Sequence, residues 1–183
     1  MYRLSTIAFL MALMTSTVSA AELPRRFGPY TLGMGPTSLE KILGFSPVGT
    51  CASCSQDENV QSLATSEASA LFKGAFNIEI KADGINQLMF YRGSLYSISF
   101  SVKSDQRSLL KILSSKFGKP KKDSIKAEGI CVAIDNYTWT GHKTIMMLNL
   151  YPQQDYSAEL YISDKALLSV VNKLEPYAKV DCK

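Results

Sequence analysis

NQLMFYRGSLYSISFSV, residues 86–102, is the stretch that decides the fold. Its apolar side chains recur at every second position, beginning with Leu88 and Phe90. This alternation is typical of half-buried β-strands, and Arg92-Gly93 predicts the turn between two of them. The second strand has its own apolar face: Tyr96, Ile98, Phe100 and Val102. The stretch therefore predicts an antiparallel hairpin.

The same alternation extends upstream, and a helix follows downstream. FNIEIKA, residues 76–82, alternates in the same way, and Asp83-Gly84 predicts a tight turn. Three short strands would then form an antiparallel meander. Ser104 is a predicted N-cap for the next helix, which ends at Gly118 and Pro120. Its apolar stripe has helical spacing: Leu109, Ile112, Leu113 and Phe117.

The order of elements recurs in the second half of the chain. Residues 129–141, 143–152 and 156–163 predict three more strands, and Asp164 predicts the cap of a last helix. Near the start, Thr37 and Glu40 have the spacing of a capping box, with a short helix over 38–43. The pattern predicts an α+β fold, an antiparallel sheet backed by helices, in the order α-βββα-βββα. Residues 75–118 and 128–176 suggest a tandem repeat.

The first 20 residues have the features of a secretory signal peptide. Arg3 precedes an apolar run, and Val18-Ser19-Ala20 supplies the small residues of a cleavage site. We expect cleavage after Ala20 and a single α+β domain over 21–183, periplasmic or secreted. The apolar run is shorter than the roughly 20 residues that span a bilayer, so we expect no transmembrane segment.

The charge of the chain argues against a nucleic-acid partner. The formal charge of +4 falls to +3 when Arg3 is removed with the signal. No arginine-rich stripe is present, and export places the protein away from nucleic acid. The basic run over 116–122 could face an acidic partner or anionic lipid, but a solvated loop is the favoured interpretation.

YTLGMGPTSLEKILGFSP, residues 30–47, resembles the start of small exported bacterial domains of the SmpA/OmlA type and of the β-lactamase-inhibitor-protein-like fold. LLKILSSKFGKP, residues 109–120, followed by YTWTGHKTIMMLNL, residues 137–150, is similar to a block in many periplasmic proteins. The resemblance implies a helix-backed antiparallel sheet that binds other proteins. It carries over no catalytic residue. This chain lacks a lipid-anchor cysteine and has a second βββα unit, unlike the outer-membrane assembly member of that group.

Four cysteines remain after cleavage of the signal: Cys51, Cys54, Cys131 and Cys182. Export places them where disulfides persist. The CASC segment could instead be a redox site or half of a zinc site. No strand–helix context surrounds it and no second CxxC follows, so a structural disulfide is favoured. We prefer the pairs 51–54 and 131–182 among three connectivities.

Catalytic and cofactor motifs are absent from the sequence. His142 is the only histidine, and beside Gly141 it is predicted to be an exposed turn residue. Asp57-Glu58 is the only adjacent acidic pair, and it is predicted to be solvated. No P-loop, HExxH or GxGxxG motif is present, so we expect no cofactor, no metal and no enzymatic activity.

The aromatic residues predict the function. Tyr and Trp are the usual anchors of protein interfaces. Tyr137, Trp139, Tyr151 and Tyr161 are the candidate protein-binding residues; Tyr137 and Trp139 are either interface or core residues. The sequence therefore predicts an exported, non-enzymatic module of the inhibitor, immunity or envelope-assembly type that binds another protein of the cell envelope or outside. The alternative is a thiol-redox or other small periplasmic enzyme that uses Cys51 and Cys54.

Overall fold

The computed structural model describes residues 21–44, 60–65, 73–77, 81–82, 86–103, 105–125, 133–153 and 157–174, of which 60–65, 81–82, 86, 103 and 157 are described by their backbone alone. The strands are β1 (Arg26–Phe27), β2 (Tyr30–Thr31), β3 (Val60–Thr65), β4 (Lys81–Ala82), β5 (Asn86–Tyr91), β6 (Ser94–Lys103), β7 (Lys121–Ile125), β8 (Ile134–Thr140), β9 (Thr144–Leu150) and β10 (Ser157–Asp164). The helices are α1 (Pro36–Leu43), α2 (Gln106–Phe117) and α3 (Lys165–Leu174).

The strands form one large antiparallel sheet beside a two-stranded ribbon, β1-β2. The large sheet has the order β3-β5-β6-β10-β9-β8-β7, and β4 pairs with the C-terminal end of β6, beyond its pairing with β5. Helices with antiparallel sheets confirm the α+β class. The predicted meander β8-β9-β10 is confirmed, with continuous registers from Thr140↔Ile145 to Ala158↔Leu150. The tandem repeat stays a prediction.

The main core lies on one side of the sheet, which we call the first face. It combines alternate strand residues with buried residues of the N-terminal segment, α1 and α2. Phe76 lies in it between Phe27 and Phe117, with ring centroids 6.1 and 6.0 Å away. Other members include Leu39, Leu88, Ile98, Phe100, Leu109, Leu113, Met146, Leu148, Leu160 and Ile162.

The first predicted meander is wrong. Residues 73–76 form a helical turn, and Asn77 follows it with a φ of 51°. Phe76 therefore enters the core from a helical turn, and the strand pattern predicted from it is interrupted. β4 pairs with β6, and the second neighbour of β5 is β3. The predicted Asp83-Gly84 turn lies outside the described residues.

The predicted common face of Tyr96, Ile98, Phe100 and Val102 is also wrong at its first member. The hairpin itself is confirmed: Arg92 and Gly93 have φ values of 49° and 72°, as a tight two-residue turn requires. A β-bulge then separates the pairs Phe90↔Leu95 and Met89↔Ser97. The extra residue moves Tyr96 to the opposite side of the sheet, where it packs with Tyr91.

Three smaller predictions need correction. α1 begins at Pro36, after Gly35 as N-cap, and no side chain caps it, because glycine has none to offer. Proline is common at the first helical position, where its fixed φ is already helical. The predicted capping box is therefore not formed. Asp105, rather than Ser104, caps α2 and accepts a hydrogen bond from the backbone of Ser108 at 2.9 Å. Lys121 and Lys122, the end of the basic run predicted to be a solvated loop, lie in the exposed edge strand β7.

Candidate protein-binding face

The side of the sheet opposite the main core is the second face. Its residues alternate with core residues along β5, β6, β9 and β10. At one end of this face, α3 packs its buried Leu168 and Val171 against Tyr91 and Tyr96. The buried side chains of α1 and α2 lie in the first-face core. Among the described helices, α3 therefore packs on the second face, at one end, while α1 and α2 pack on the first face.

α3 is held in place by an ion pair at its N-terminus. Arg25 Nη2 donates to Asp164 Oδ2 at 2.6 Å, and the same guanidinium donates to the carbonyls of Leu32 and Lys143. Asp164 Oδ1 accepts from the backbone N–H groups of Ala166 and Leu167 at 3.0 and 3.1 Å. This confirms the predicted cap.

Opposing influences act on the pKa of Asp164. Burial alone would raise it, but the hydrogen bond and charge of Arg25, together with the two backbone donors, outweigh burial. The pKa of Asp164 therefore lies below its usual range. The carboxylate is charged at neutral pH and joins the N-terminal segment to the junction of β10 and α3.

The other end of the second face carries a polar and aromatic group that we call the Glu159 site: Asn149, Tyr151, Glu159 and Tyr161. Glu159 Oε2 accepts two hydrogen bonds, from the hydroxyl of Tyr151 at 2.7 Å and from that of Tyr161 at 2.8 Å. Asn149 lies directly across from Glu159 on β9. All four side chains are half-buried.

A second hydrogen-bonded chain continues the site toward the β7 edge. Asn136 Nδ2 donates to Asn149 Oδ1 at 2.7 Å, and the hydroxyl of Thr138 donates to Asn136 Oδ1 at 2.9 Å. These side chains are fixed by one another and by the sheet register. The second face therefore presents a preorganised polar surface, the kind that reduces the entropy cost of binding.

The phenol of Tyr151 is held in its neutral form. Burial, followed by the hydrogen bond and negative charge of Glu159, raises the pKa of Tyr151 above its usual value. The hydroxyl is therefore a hydrogen-bond donor to the carboxylate at physiological pH. A tyrosine with this role positions the Glu159 carboxylate.

The four aromatic residues predicted as binding residues divide into two pairs. Tyr151 and Tyr161 lie in the Glu159 site. Trp139 lies in the first-face core, 3 % exposed, and its indole N–H donates to the carbonyl of Gly118 at 2.7 Å. Tyr137 packs against the same core and has Lys122 over its ring. The register explains the division, because Tyr137 and Trp139 pair with the core residues Leu148 and Met146.

Of the remaining candidate residues, the structure describes His142. His142 is exposed, as predicted, in the bend between β8 and β9. It lines an open groove of about 510 Å³ with Glu22, Lys119, Lys121 and Trp139. Cys51, Cys54, Cys131 and Cys182, the pair Asp57-Glu58 and the predicted signal peptide lie outside the described residues.

Within the described ranges, no group of three or more His, Cys, Asp or Glu residues could hold a metal ion. No helix in the described part of the chain is long and apolar enough to cross a membrane.

Glu159 and Asn149 are site residues that were not predicted from the sequence. A usable signal was present, because Glu159 and Tyr161 are two residues apart in one predicted strand and so share a face. Asn149 alternates with Leu148 and Leu150 in the same way. Sequence did not show that these two strands are neighbours in a register that brings Tyr151 to Glu159.

Comparison with known proteins adds no relative: no family model, no curated protein and no solved structure matches this chain.

Proposed function

We propose that the protein is an exported, periplasmic, non-enzymatic module that binds another protein through its second face. The observation that carries this proposal is the Glu159 site, where two tyrosines fix a carboxylate on the part of the sheet away from α3. Tyrosine supplies a large contact area with a polar end and is enriched at interfaces. The signal-like N-terminus supports export, and the absence of catalytic motifs from the sequence supports a binding role.

The face also has the composition of an interface. Met147 lies beside Tyr161 in the register and is half-buried, and Met is enriched at protein interfaces. Around it lie hydroxyl and amide groups that can donate and accept hydrogen bonds. A partner of the inhibitor-target, toxin or envelope-assembly kind would bury this mixed surface.

A binding titration tests the proposal. The chain from Ala21 onward would be used to capture a partner from envelope extract, and the purified partner would then be titrated against it. Met147→Arg should weaken binding at least about tenfold, because a charge replaces an apolar group in the contact. Ile112→Arg is the matched control: Ile112 is 40 % exposed on α2, which packs on the first face.

Two results would contradict the proposal. Unchanged binding by Met147→Arg would remove the second face from the interaction. A native enzymatic activity that is lost on replacing His142, or both Cys51 and Cys54, would favour the thiol-redox or other enzyme alternative. Far-UV circular dichroism of each variant verifies that the fold is retained.

A further inference from the structure

One oxygen of the Glu159 carboxylate, Oε1, has no hydrogen-bond donor among the described residues. Both tyrosine hydroxyls donate to Oε2, and no described group donates to Oε1. In the part of the chain that the structure describes, no lysine or arginine forms an ion pair with Glu159. Removing a carboxylate from water is costly unless hydrogen bonds and an opposite charge compensate. Among the described side chains, Glu159 therefore has hydrogen-bond donors and no opposite charge.

The neighbours of Glu159 suit a cation. The hydroxyls of Tyr151 and Tyr161 lie within 2.8 Å of the same oxygen, so both aromatic side chains adjoin the carboxylate. Tyrosine rings attract ammonium and guanidinium groups through their π-systems. The amide of Asn149 lies across the register from Glu159 and keeps an acceptor lone pair on Oδ1 for a further N–H donor.

The other acidic groups of the described sheet differ from Glu159 in this respect. Asp164 is paired with Arg25. Asp135 accepts from Lys122 at 2.9 Å and from the hydroxyl of Ser124 at 2.6 Å. Asp123 lies 3.9 Å from Lys121 at the exposed edge. Glu159 is the half-buried carboxylate of this group that has aromatic neighbours in place of a cation.

We infer that the Glu159 site receives a basic side chain, arginine or lysine, of the partner protein. The inference rests on the proposed function and specifies the chemistry of the partner. Local charge complementarity supports it: Glu159 supplies a carboxylate held by two tyrosine hydroxyls, although the net charge of the chain is positive. Buried charge pairs of this kind are common determinants of interface specificity.

The first experiment uses a small probe. ¹⁵N-labelled protein from Ala21 onward is titrated with N-acetyl-arginine amide and, separately, with N-acetyl-citrulline amide, its neutral analogue, at constant ionic strength. The arginine probe should give saturable shifts of the Asn149, Glu159 and Tyr161 amides. Binding of the citrulline probe should be at least about tenfold weaker, because a hydrogen bond to a charged group is lost.

Two glutamate variants make the result specific. Glu159→Gln keeps an acceptor for the tyrosines but removes the charge, and it should weaken arginine binding by the same factor of at least about ten. Glu40→Gln, on the exposed surface of α1, should bind like the unmodified chain. Equal binding of the two probes, no saturable shift, or unchanged arginine binding by Glu159→Gln would each overturn the inference.

The partner titration separates this inference from the proposed function. If Met147→Arg and Glu159→Gln each weaken partner binding at least about tenfold, both stand. If Met147→Arg weakens binding by this factor and Glu159→Gln leaves it unchanged, the protein-binding function stands and the basic side chain is refuted. If Met147→Arg has no effect, the proposed use of the second face is refuted.

Discussion

Replacing Asp164 should destabilise the protein through two separable losses. Asp164→Ala removes the cap of α3, because Oδ1 accepts from the N–H groups of Ala166 and Leu167. It also removes the 2.6 Å ion pair with Arg25. Asp164→Asn retains an oxygen for the cap and removes only the charge, so comparing the two variants separates the two contributions.

The expected losses of unfolding free energy follow from the cap and from the burial of the ion pair. Loss of an N-cap costs about 1 kcal/mol. The ion pair lies between the exposed and buried extremes, since the side chains are 26 % and 12 % exposed, so we assign it about 1–2 kcal/mol. Asp164→Ala should therefore cost about 2–3 kcal/mol, and Asp164→Asn about 1–2 kcal/mol. For a chain of this size, the Asp164→Ala loss lowers Tm by about 5–10 °C.

Urea denaturation measures these losses. Trp139 is the only tryptophan and is 3 % exposed, so its fluorescence reports on the main core without a label. Arg25→Met is a useful third variant, because it leaves the cap intact and removes the guanidinium. A decrease of less than about 0.5 kcal/mol in the unfolding free energy of Asp164→Ala, or equal decreases for the alanine and asparagine variants, would refute these roles of Asp164 as cap and ion-pair partner.

Four further measurements test Asp164, Tyr151, Gly33 and the Cys51–Cys54 pair. The folded pKa of Asp164 is lowered, so the stability that Asp164 adds is present above the unfolded pKa of about 3.9 and is lost as pH falls through the folded pKa. The difference in unfolding free energy between the unmodified chain and Asp164→Asn should be constant from about pH 5 to 8 and shrink below about pH 4. A difference that stays constant at low pH would contradict this. Ultraviolet titration should show that the Tyr151 phenol, whose pKa is raised, contributes no tyrosinate absorbance until pH is well above 10. A tyrosinate step below about pH 10 that Tyr151→Phe removes would contradict the half-buried hydrogen bond. Gly33→Ala should cost about 1 kcal/mol in the same denaturation assay, because Gly33 has a φ of 86°; no cost would argue against this backbone conformation. Mass-spectrometric mapping should find Cys51 and Cys54 oxidised, with a double serine variant losing at most about 2–4 kcal/mol; a free, reactive Cys51 would contradict a structural role.

Strands and helices whose apolar residues recur at a regular spacing were predictable from the sequence. β5, β6, β9 and β10 follow their apolar alternation, and α2 and α3 follow their helical stripes with glycine or acidic residues at their ends. These signals are local, because each depends on residues within one turn or one strand. They are sufficient for the α+β class and for the β8-β9-β10 meander.

The failures have non-local causes. Phe76 has a strand-like neighbourhood, but its place between Phe27 and Phe117 is filled from a helical turn. Tyr96 changes face because one bulge residue shifts the alternation of β6. Neither β3 nor β7 has enough apolar residues to predict a strand, and both lie at the edges of the sheet, where backbone pairing with one neighbour is sufficient.

Residue types in the candidate site were predictable from the sequence, but their positions on a face of the sheet were not. Tyr151 and Tyr161 could be selected by residue type, and their position on the second face depends on the strand order. Tyr137 and Trp139 could not be assigned to a face, because the sequence did not show which side of β8 the helices cover. The central β6-β10 pairing joins the two halves of the chain, and no local pattern predicts it.

The central claim is that the second face binds another protein, and the most direct measurement is the dissociation constant of the purified partner for the Met147→Arg and Ile112→Arg variants. The account predicts that Met147→Arg weakens binding at least about tenfold, while Ile112→Arg on α2 binds like the unmodified chain. Equal affinities for the two variants, with both folded by circular dichroism, would contradict it.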